Sequence, residues 1–167
     1  MTGSECTGKT TLATALAAHY GTICVPEFAR QFVLEKGAPP VVADVNAIAR
    51  GQIDLEDAIA ARAMWLVIQD TDLLSTVLYS HHYFGDCPGW IESALGNRVP
   101  DLYLLTGIDV PWTADGDQRD RGDRREEMQE LFRHGLIDRG LPFIEIGGTP
   151  DSRLRLATAA IDPLLSG

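Results

Sequence analysis

The chain has 167 residues, 45% of them hydrophobic and 23% charged, which is typical of one globular domain with its own core. Its net charge of −10, from 14 basic and 24 acidic side chains, argues against nucleic-acid or anionic-membrane binding. No apolar run approaches the ~20 residues of a membrane span, and no signal-peptide pattern opens the chain. The three cysteines form no C-x-x-C pair, so we expect neither zinc nor disulfides and predict a cytoplasmic protein with one domain, 1–167.

A phosphate-binding loop opens the chain, because residues 3–10 follow the pattern G-x-x-x-x-G-K-[ST]. Gly3 and Gly8 allow the backbone to wrap around phosphates, and Lys9 places a charge on them. The residues that follow predict a helix whose N-terminal dipole favours the same anion. We therefore predict ATP as a cofactor, bound by Gly3, Ser4, Glu5, Cys6, Thr7, Gly8, Lys9, Thr10 and Thr11.

Helix and strand patterns alternate along the rest of the chain. Helices are predicted at about 8–20, 27–36, 44–64, 73–83, 90–95, 124–139 and from 149, where the last helix ends or bends at Pro163. Strands are predicted at 22–25, 65–68, 102–105 and 143–146. This order predicts an α/β fold of the P-loop NTPase type, similar to nucleoside and nucleoside-monophosphate kinases: a three-layer sandwich with a mostly parallel sheet and helices on both faces.

The loop should follow a buried strand, yet only Met1 and Thr2 precede it. The first strand is therefore expected to be missing or truncated. Two explanations remain open. Either the native start lies upstream of Met1, or another part supplies the strand.

Two carboxylates follow the predicted strand 65–68, at the sheet edge where ligands of parallel sheets bind. Asp70 and the hydroxyl of Thr10 are predicted to hold Mg²⁺. Asp72 is a candidate substrate-binding residue, although it could instead cap the next helix. The sequence Asp-Thr-Asp lacks a water-activating Glu, which favours transfer to an alcohol over hydrolysis.

Glu27 and Arg30 stand at the start of a predicted helix, three residues apart on one face. Glu27 could accept a hydroxyl proton or hold a ribose, and Arg30 could screen phosphate charge. The alternatives are an acidic residue that favours the helix dipole and a surface ion pair.

Residues 111–125 alternate charges between glycines, which indicates either a solvated loop or a lid that closes on the phosphoryl group. For the lid, Arg119 and Arg124 are the predicted catalytic arginines, with Arg121 and Arg125 as alternates.

The motifs together resemble the ribosylnicotinamide kinase domain of bacterial NAD-biosynthesis regulator proteins. The resemblance spans nearly the whole chain and is carried, in the same order, by segments 3–13, 26–33, 70–72 and 112–120. It implies a P-loop kinase that uses MgATP to phosphorylate the 5′-hydroxyl of nicotinamide riboside. Deoxynucleoside kinases are similar around Pro26 and Glu27, and their glutamate acts as the base, which implies that role for Glu27.

The leading hypothesis is thus a kinase of a small nucleoside-like substrate, with Lys9, Glu27, Asp70, Arg119 and Arg124 as catalytic residues. Well-known members of the family have an aromatic residue where this chain has Pro26, and Asp57 stands where a tyrosine is expected. These departures motivate the alternatives: a P-loop ATPase or nucleotide-dependent switch without kinase activity, a kinase for another nucleoside, or a structural remnant.

Overall fold

The structure, a computed structural model, describes residues 1–111 and 124–166. Its helices are α1 (Lys9–Tyr20), α2 (Phe28–Lys36), α3 (Val45–Ala60), α4 (Leu73–Phe84), α5 (Gly89–Gly96), α6 (Arg125–Asp138) and α7 (Pro150–Leu165). Its strands are β1 (Ile23–Val25), β2 (Val67–Gln69), β3 (Tyr103–Thr106) and β4 (Phe143–Ile146), and a short 3-10 helix, Val42–Asp44, precedes α3.

All pairings between these strands are parallel. β1 pairs with β2, with Cys24 opposite Ile68, and β3 pairs with β4, with Leu104 opposite Ile144. This pattern of parallel strands separated by helices confirms the predicted α/β class.

The first two residues occupy the place between β2 and β3. The Thr2 N–H donates to the Leu104 carbonyl at 3.0 Å, and the Thr106 N–H donates to the Thr2 carbonyl at 3.0 Å. On the other side, the Met1 nitrogen donates to the Gln69 carbonyl at 2.5 Å. In the described residues, a single bridge at Thr2 thus stands in place of the first strand, which the sequence predicted to be missing or truncated, and the phosphate loop follows it directly.

Alternation along β3 divides the core into two layers of side chains. Leu104 packs with Leu12 and Leu16 of α1 and with residues of α7. Tyr103 and Leu105 point to the opposite face, where they pack with α3, α4, α5 and α6. Because successive strand residues face opposite sides of a sheet, helices cover both faces, as predicted.

The predicted elements are all present, and the differences lie at their ends. Trp65 lies before β2, because β2 pairs only with the three residues of β1. Its side chain is 53% exposed and contacts the Tyr20 ring edge to face. Pro163 lies inside α7, which continues to Leu165. Within the described ranges, no helix has the length and hydropathy of a bilayer span.

Candidate active site

The phosphate loop has the backbone conformation that its glycines predict. Gly3 has φ 128° and Gly8 has φ 81°, and Cys6 also adopts a positive φ of 54°. A Cβ at Gly3 would lie 3.0 Å from the Thr106 carbonyl oxygen, so the loop packs directly on the end of β3. Gly8 is the N-cap of α1, and the helix therefore begins at the loop, where its N-terminus favours an anion.

Buried side chains from β3 and α6 hold the back of this loop. The Thr7 hydroxyl donates to the Ser4 carbonyl at 2.8 Å and lies 2.7 Å from the Thr106 hydroxyl. Gln129 accepts the Ser4 N–H at 3.3 Å and donates to the Thr106 carbonyl at 3.1 Å. Sequence analysis missed Thr106 and Gln129, because nothing local distinguishes a buried polar residue at a strand end or on a helix.

Arg153 on α7 joins three loops at the carboxyl edge of the sheet. The side chain is buried and donates to the carbonyls of Thr7 (2.5 Å), Gly107 (3.0 Å) and Gly148 (3.0 Å), and it pairs with Asp109. Sequence analysis also missed this residue. The sequence did contain one indication. A basic residue in the first turn of a helix is unfavourable with the helix dipole, so Arg153 at that position indicates a specific contact that compensates.

We expect Arg153→Met to lower the free energy of unfolding by about 3 kcal/mol and to weaken nucleotide binding, since the Thr7, Gly107 and Gly148 carbonyls lose their donor. Arg155→Met, an exposed change on the same helix, should change it by less than about 0.5 kcal/mol. Urea unfolding of both variants measures the difference. Equal midpoints would show that Arg153 does not hold the loop.

Thr10 and Asp70 are in direct contact, as the sequence predicted for a Mg²⁺ pair. The Thr10 hydroxyl donates to Asp70 Oδ2 at 2.6 Å. Asp70 Oδ1 is buried and has no hydrogen-bond partner in the described part of the chain. A buried carboxylate oxygen without a donor, next to a hydroxyl, is the hard oxygen set that Mg²⁺ prefers, so these residues fit that ion.

Lys9 lies inside the loop, where its Nζ donates to the carbonyls of Gly3 (3.0 Å) and Ser4 (2.7 Å). Burial lowers the pKa of Lys9 below its ordinary value of 10.5, although the charges of Glu27 and Asp70 oppose this. Between the lowered pKa and 10.5, part of the Lys9 population is neutral, and a bound phosphate would restore its proton.

Nucleotide binding should therefore take up a proton at alkaline pH and weaken as the pH rises through the lowered pKa of Lys9. Calorimetric titration with AMP-PNP in two buffers of different ionisation enthalpy measures this uptake. Lys9→Met should abolish it, whereas Lys36→Met, which removes the other lysine of the chain, should retain it. A wild-type affinity that does not change over this alkaline range would contradict the prediction.

A cavity of about 500 Å³ adjoins the phosphate loop and is bordered by α2, α3 and α4. Lys9 lines it on the loop side, and Glu27 and Arg30 line it on the α2 side. The Arg30 Nε lies 3.8 Å from Glu27 Oε2, so the two side chains share one face as predicted. Ile48 and Tyr79 contribute to its apolar walls. The cavity thus combines a carboxylate, a phosphate-facing lysine and an apolar surface.

Asp72 caps α4, which is one of the two roles that the sequence left open. Its Oδ1 accepts the Leu74 N–H at 3.2 Å, and the Tyr103 hydroxyl donates to its Oδ2. Burial raises the pKa of Asp72, against the opposing effect of the Tyr103 hydrogen bond. Asp72 also lines the cavity, so its substrate-binding role stays a prediction.

The arginines at the predicted lid have different positions. Arg124 bonds both carboxylate oxygens of Glu127, at 2.9 and 2.8 Å, and contacts His82. Arg125 reaches the phosphate loop, where it donates to the Cys6 carbonyl at 3.2 Å. Arg119 and Arg121 lie outside the described residues. Of the described candidates, the alternate Arg125 is thus the one beside the loop.

A second group of titratable side chains lies at the far end of α4. Within residues 1–111 and 124–166, only His81, Cys87 and Glu92 bring three potential metal ligands together. Glu92 already pairs with His81 at 2.7 Å and with Arg139 at 3.5 Å. These contacts already engage the Glu92 carboxylate with His81 and Arg139, and none of the three residues lines the cavity.

The phosphate loop, its helix and the parallel sheet define a domain with the P-loop NTPase fold. The model of the AAA domain family matches residues 1–153, and the chain belongs to that family.

Two curated relatives support this assignment. The trifunctional NAD biosynthesis/regulator protein NadR of Escherichia coli K12 is 27% identical over 150 residues, as is NadR of Salmonella typhimurium LT2. Each alignment covers 86% of this chain and 36% of the relative, so the chain spans about a third of their length. The resemblance drawn from the sequence motifs is thereby confirmed.

Solved structures show the same fold. NadR in complex with NR superposes with a TM-score of 0.82 at 21% identity and covers 99% of this chain and 50% of that one. NadR in complex with NAD and AMP-PNP gives a TM-score of 0.81, also at 21% identity, and the match covers 48% of that chain. These matches confirm the predicted P-loop fold.

Proposed function

We propose that this protein transfers the γ-phosphoryl group of MgATP to the 5′-hydroxyl of a nucleoside-like substrate, with nicotinamide riboside as the acceptor. The observation that carries this proposal is the cavity in which Glu27 faces the phosphate loop and Lys9. Nicotinamide riboside is favoured because the relatives are NAD-biosynthesis proteins and one solved NadR structure contains NR. The chain has three cysteines and no C-x-x-C pair, which fits a reducing compartment, so we propose that the reaction takes place in the cytoplasm.

In this proposal the loop and α1 bind the triphosphate of ATP. Backbone N–H groups of the loop and of the N-terminus of α1 would bind phosphate oxygens, except the Ser4 N–H, which Gln129 accepts, and Lys9 would exchange the Gly3 and Ser4 carbonyls for phosphate oxygens. Thr10 and Asp70 would hold Mg²⁺, which neutralises phosphate charge when bound. The residues proposed to bind ATP are thus residues 3–11, the phosphate loop and the start of α1.

Glu27 is the proposed general base. Its carboxylate would accept the 5′-hydroxyl proton as the oxygen attacks the γ-phosphorus, while the bond to the β-phosphate oxygen breaks and ADP leaves. Arg30 would screen the charge between carboxylate and phosphate. Arg125, beside the loop, and the predicted lid arginines Arg119 and Arg124 would stabilise the equatorial oxygens.

The apolar walls would bind the base of the nucleoside. Among the described aromatic side chains, Tyr79 and Phe84 of α4 line the cavity, and Tyr79 also stacks on Tyr83 with ring centroids 5.8 Å apart. Pro26 cannot stack in the way an aromatic ring does, so we expect α4 to contribute more to base binding than the residue before Glu27.

Glu27→Gln should lower kcat by a factor of about 10² to 10⁴ with little change in the KM for ATP, since the amide cannot accept the proton. ADP release measured with nicotinamide riboside and a panel of nucleosides tests this. Glu35→Gln is the matched control, because Glu35 is exposed on the same helix and accepts a hydrogen bond from Gln31 at the surface. If the wild-type protein hydrolyses ATP equally fast with and without every acceptor, the kinase proposal is wrong and the ATPase alternative stands.

A further inference from the structure

Gln52 is a buried side chain that joins three segments around the cavity. It stands on α3 and is 3% exposed. Its Oε1 accepts the Phe28 N–H at 2.9 Å, and its Nε2 donates to Glu56 Oε1 at 3.0 Å and to the Thr71 carbonyl at 3.4 Å. The amide group therefore uses both its acceptor and its donors, which fixes its orientation.

The N–H that Gln52 accepts belongs to the peptide bond between Glu27 and Phe28. The first N–H groups of a helix have no acceptor within the helix, and a residue at the N-cap commonly supplies one. Glu27 is the N-cap of α2, yet its side chain makes no capping bond. From α3, Gln52 supplies the acceptor for the first N–H of α2, and the Glu27 carboxylate, which caps no N–H of the helix, lines the cavity.

Gly51 fixes the side chain of the same residue, Phe28. A Cβ at Gly51 would lie 2.1 Å from Phe28 Cε1 and 2.2 Å from Phe28 Cζ, so the ring rests directly on the α3 backbone. Glycine within a helix costs about 1 kcal/mol relative to alanine. The close approach of Phe28 gives a physical reason for this glycine in the middle of α3.

We propose that Gln52 and Gly51 are positioning residues for the acceptor reaction. Gln52 holds the peptide plane after Glu27, and Gly51 seats the adjacent ring, so together they set where the Glu27 carboxylate stands in the cavity. This inference rests on the proposed function, in which Glu27 is the base. None of these three hydrogen bonds goes to the phosphate loop, and the one beside Asp70, to the Thr71 carbonyl, is the longest at 3.4 Å, so we expect Gln52 to affect the acceptor more than the nucleotide.

Gln52→Leu tests the first contact, because leucine cannot accept the Phe28 N–H. We expect kcat/KM for the acceptor to fall about 10- to 100-fold, as for a displaced catalytic group, with the KM for ATP unchanged. Asp54→Asn, on the exposed side of α3, should leave both constants unchanged. Ile161→Ala, in the core on the opposite face of the sheet, controls for lost stability and should not affect the acceptor selectively.

A rescue experiment tests the second contact. Gly51→Ala should also lower kcat/KM for the acceptor, because the new methyl group displaces Phe28. Adding Phe28→Leu, which removes the two ring atoms nearest to Gly51, should restore part of the loss. A double variant no better than Gly51→Ala alone would overturn the role of Gly51.

Amide hydrogen exchange at Phe28 separates the failure of this inference from the failure of the proposed function. In Gln52→Leu the Phe28 N–H should exchange faster than in the wild type, while amides in the phosphate loop keep their rates. If the Phe28 N–H exchanges faster in Gln52→Leu but the wild-type protein itself shows no acceptor-dependent turnover, the capping by Gln52 is supported and the kinase proposal is rejected. Two results would overturn the inference. One is an unchanged exchange rate at the Phe28 N–H in Gln52→Leu, and the other is a loss of kcat/KM that is equal for the acceptor and for ATP, as in Ile161→Ala.

Discussion

A phosphate-binding loop can offer N–H groups to an anion only if its carbonyl oxygens find donors elsewhere, and this constraint shapes the whole site. The Ser4 carbonyl receives the Thr7 hydroxyl and Lys9, the Thr7 carbonyl receives Arg153, and the Cys6 carbonyl receives Arg125. The donors come from the loop itself and from two distant helices. The loop conformation is therefore a property of the folded domain, although its motif is local.

The opposite wall of the cavity depends on a similar transfer of hydrogen bonds. The first N–H of α2 donates to Gln52 on α3, and the Glu27 carboxylate, which caps no N–H of the helix, lines the cavity. The negative charge of Glu27 on that side raises the pKa of Lys9 and so opposes the lowering of this pKa by burial. In the proposed function, a chain with a net charge of −10 would bind a triphosphate through a few cations placed locally at the loop.

The parts of the site that the sequence predicted are those with a local signature. The phosphate loop has a fixed spacing, and Asp70 follows an apolar strand that ends at the ligand-binding edge. Arg153, Gln129 and Gln52 act through contacts between residues far apart in the chain, and a single polar residue on a helix gives no sign of such contacts.

Other limits of the prediction come from geometry over one or two residues. Arg124 and Arg125 are neighbours in the chain, yet one bonds Glu127 and the other reaches the loop, since Arg124 is the N-cap that precedes α6 and Arg125 is the first residue of that helix. The single bridge at Thr2 was also beyond sequence patterns, because two residues cannot show the alternation that marks a strand.

The most direct test of this account is a crystal structure of the protein with nicotinamide riboside and AMP-PNP. The account predicts the 5′-oxygen of the nucleoside within about 3.2 Å of a Glu27 carboxylate oxygen, with the γ-phosphate on the phosphate loop beyond it. A nucleoside bound outside the cavity beside α2, α3 and α4, or with its 5′-oxygen turned away from both Glu27 and the γ-phosphate, would contradict it.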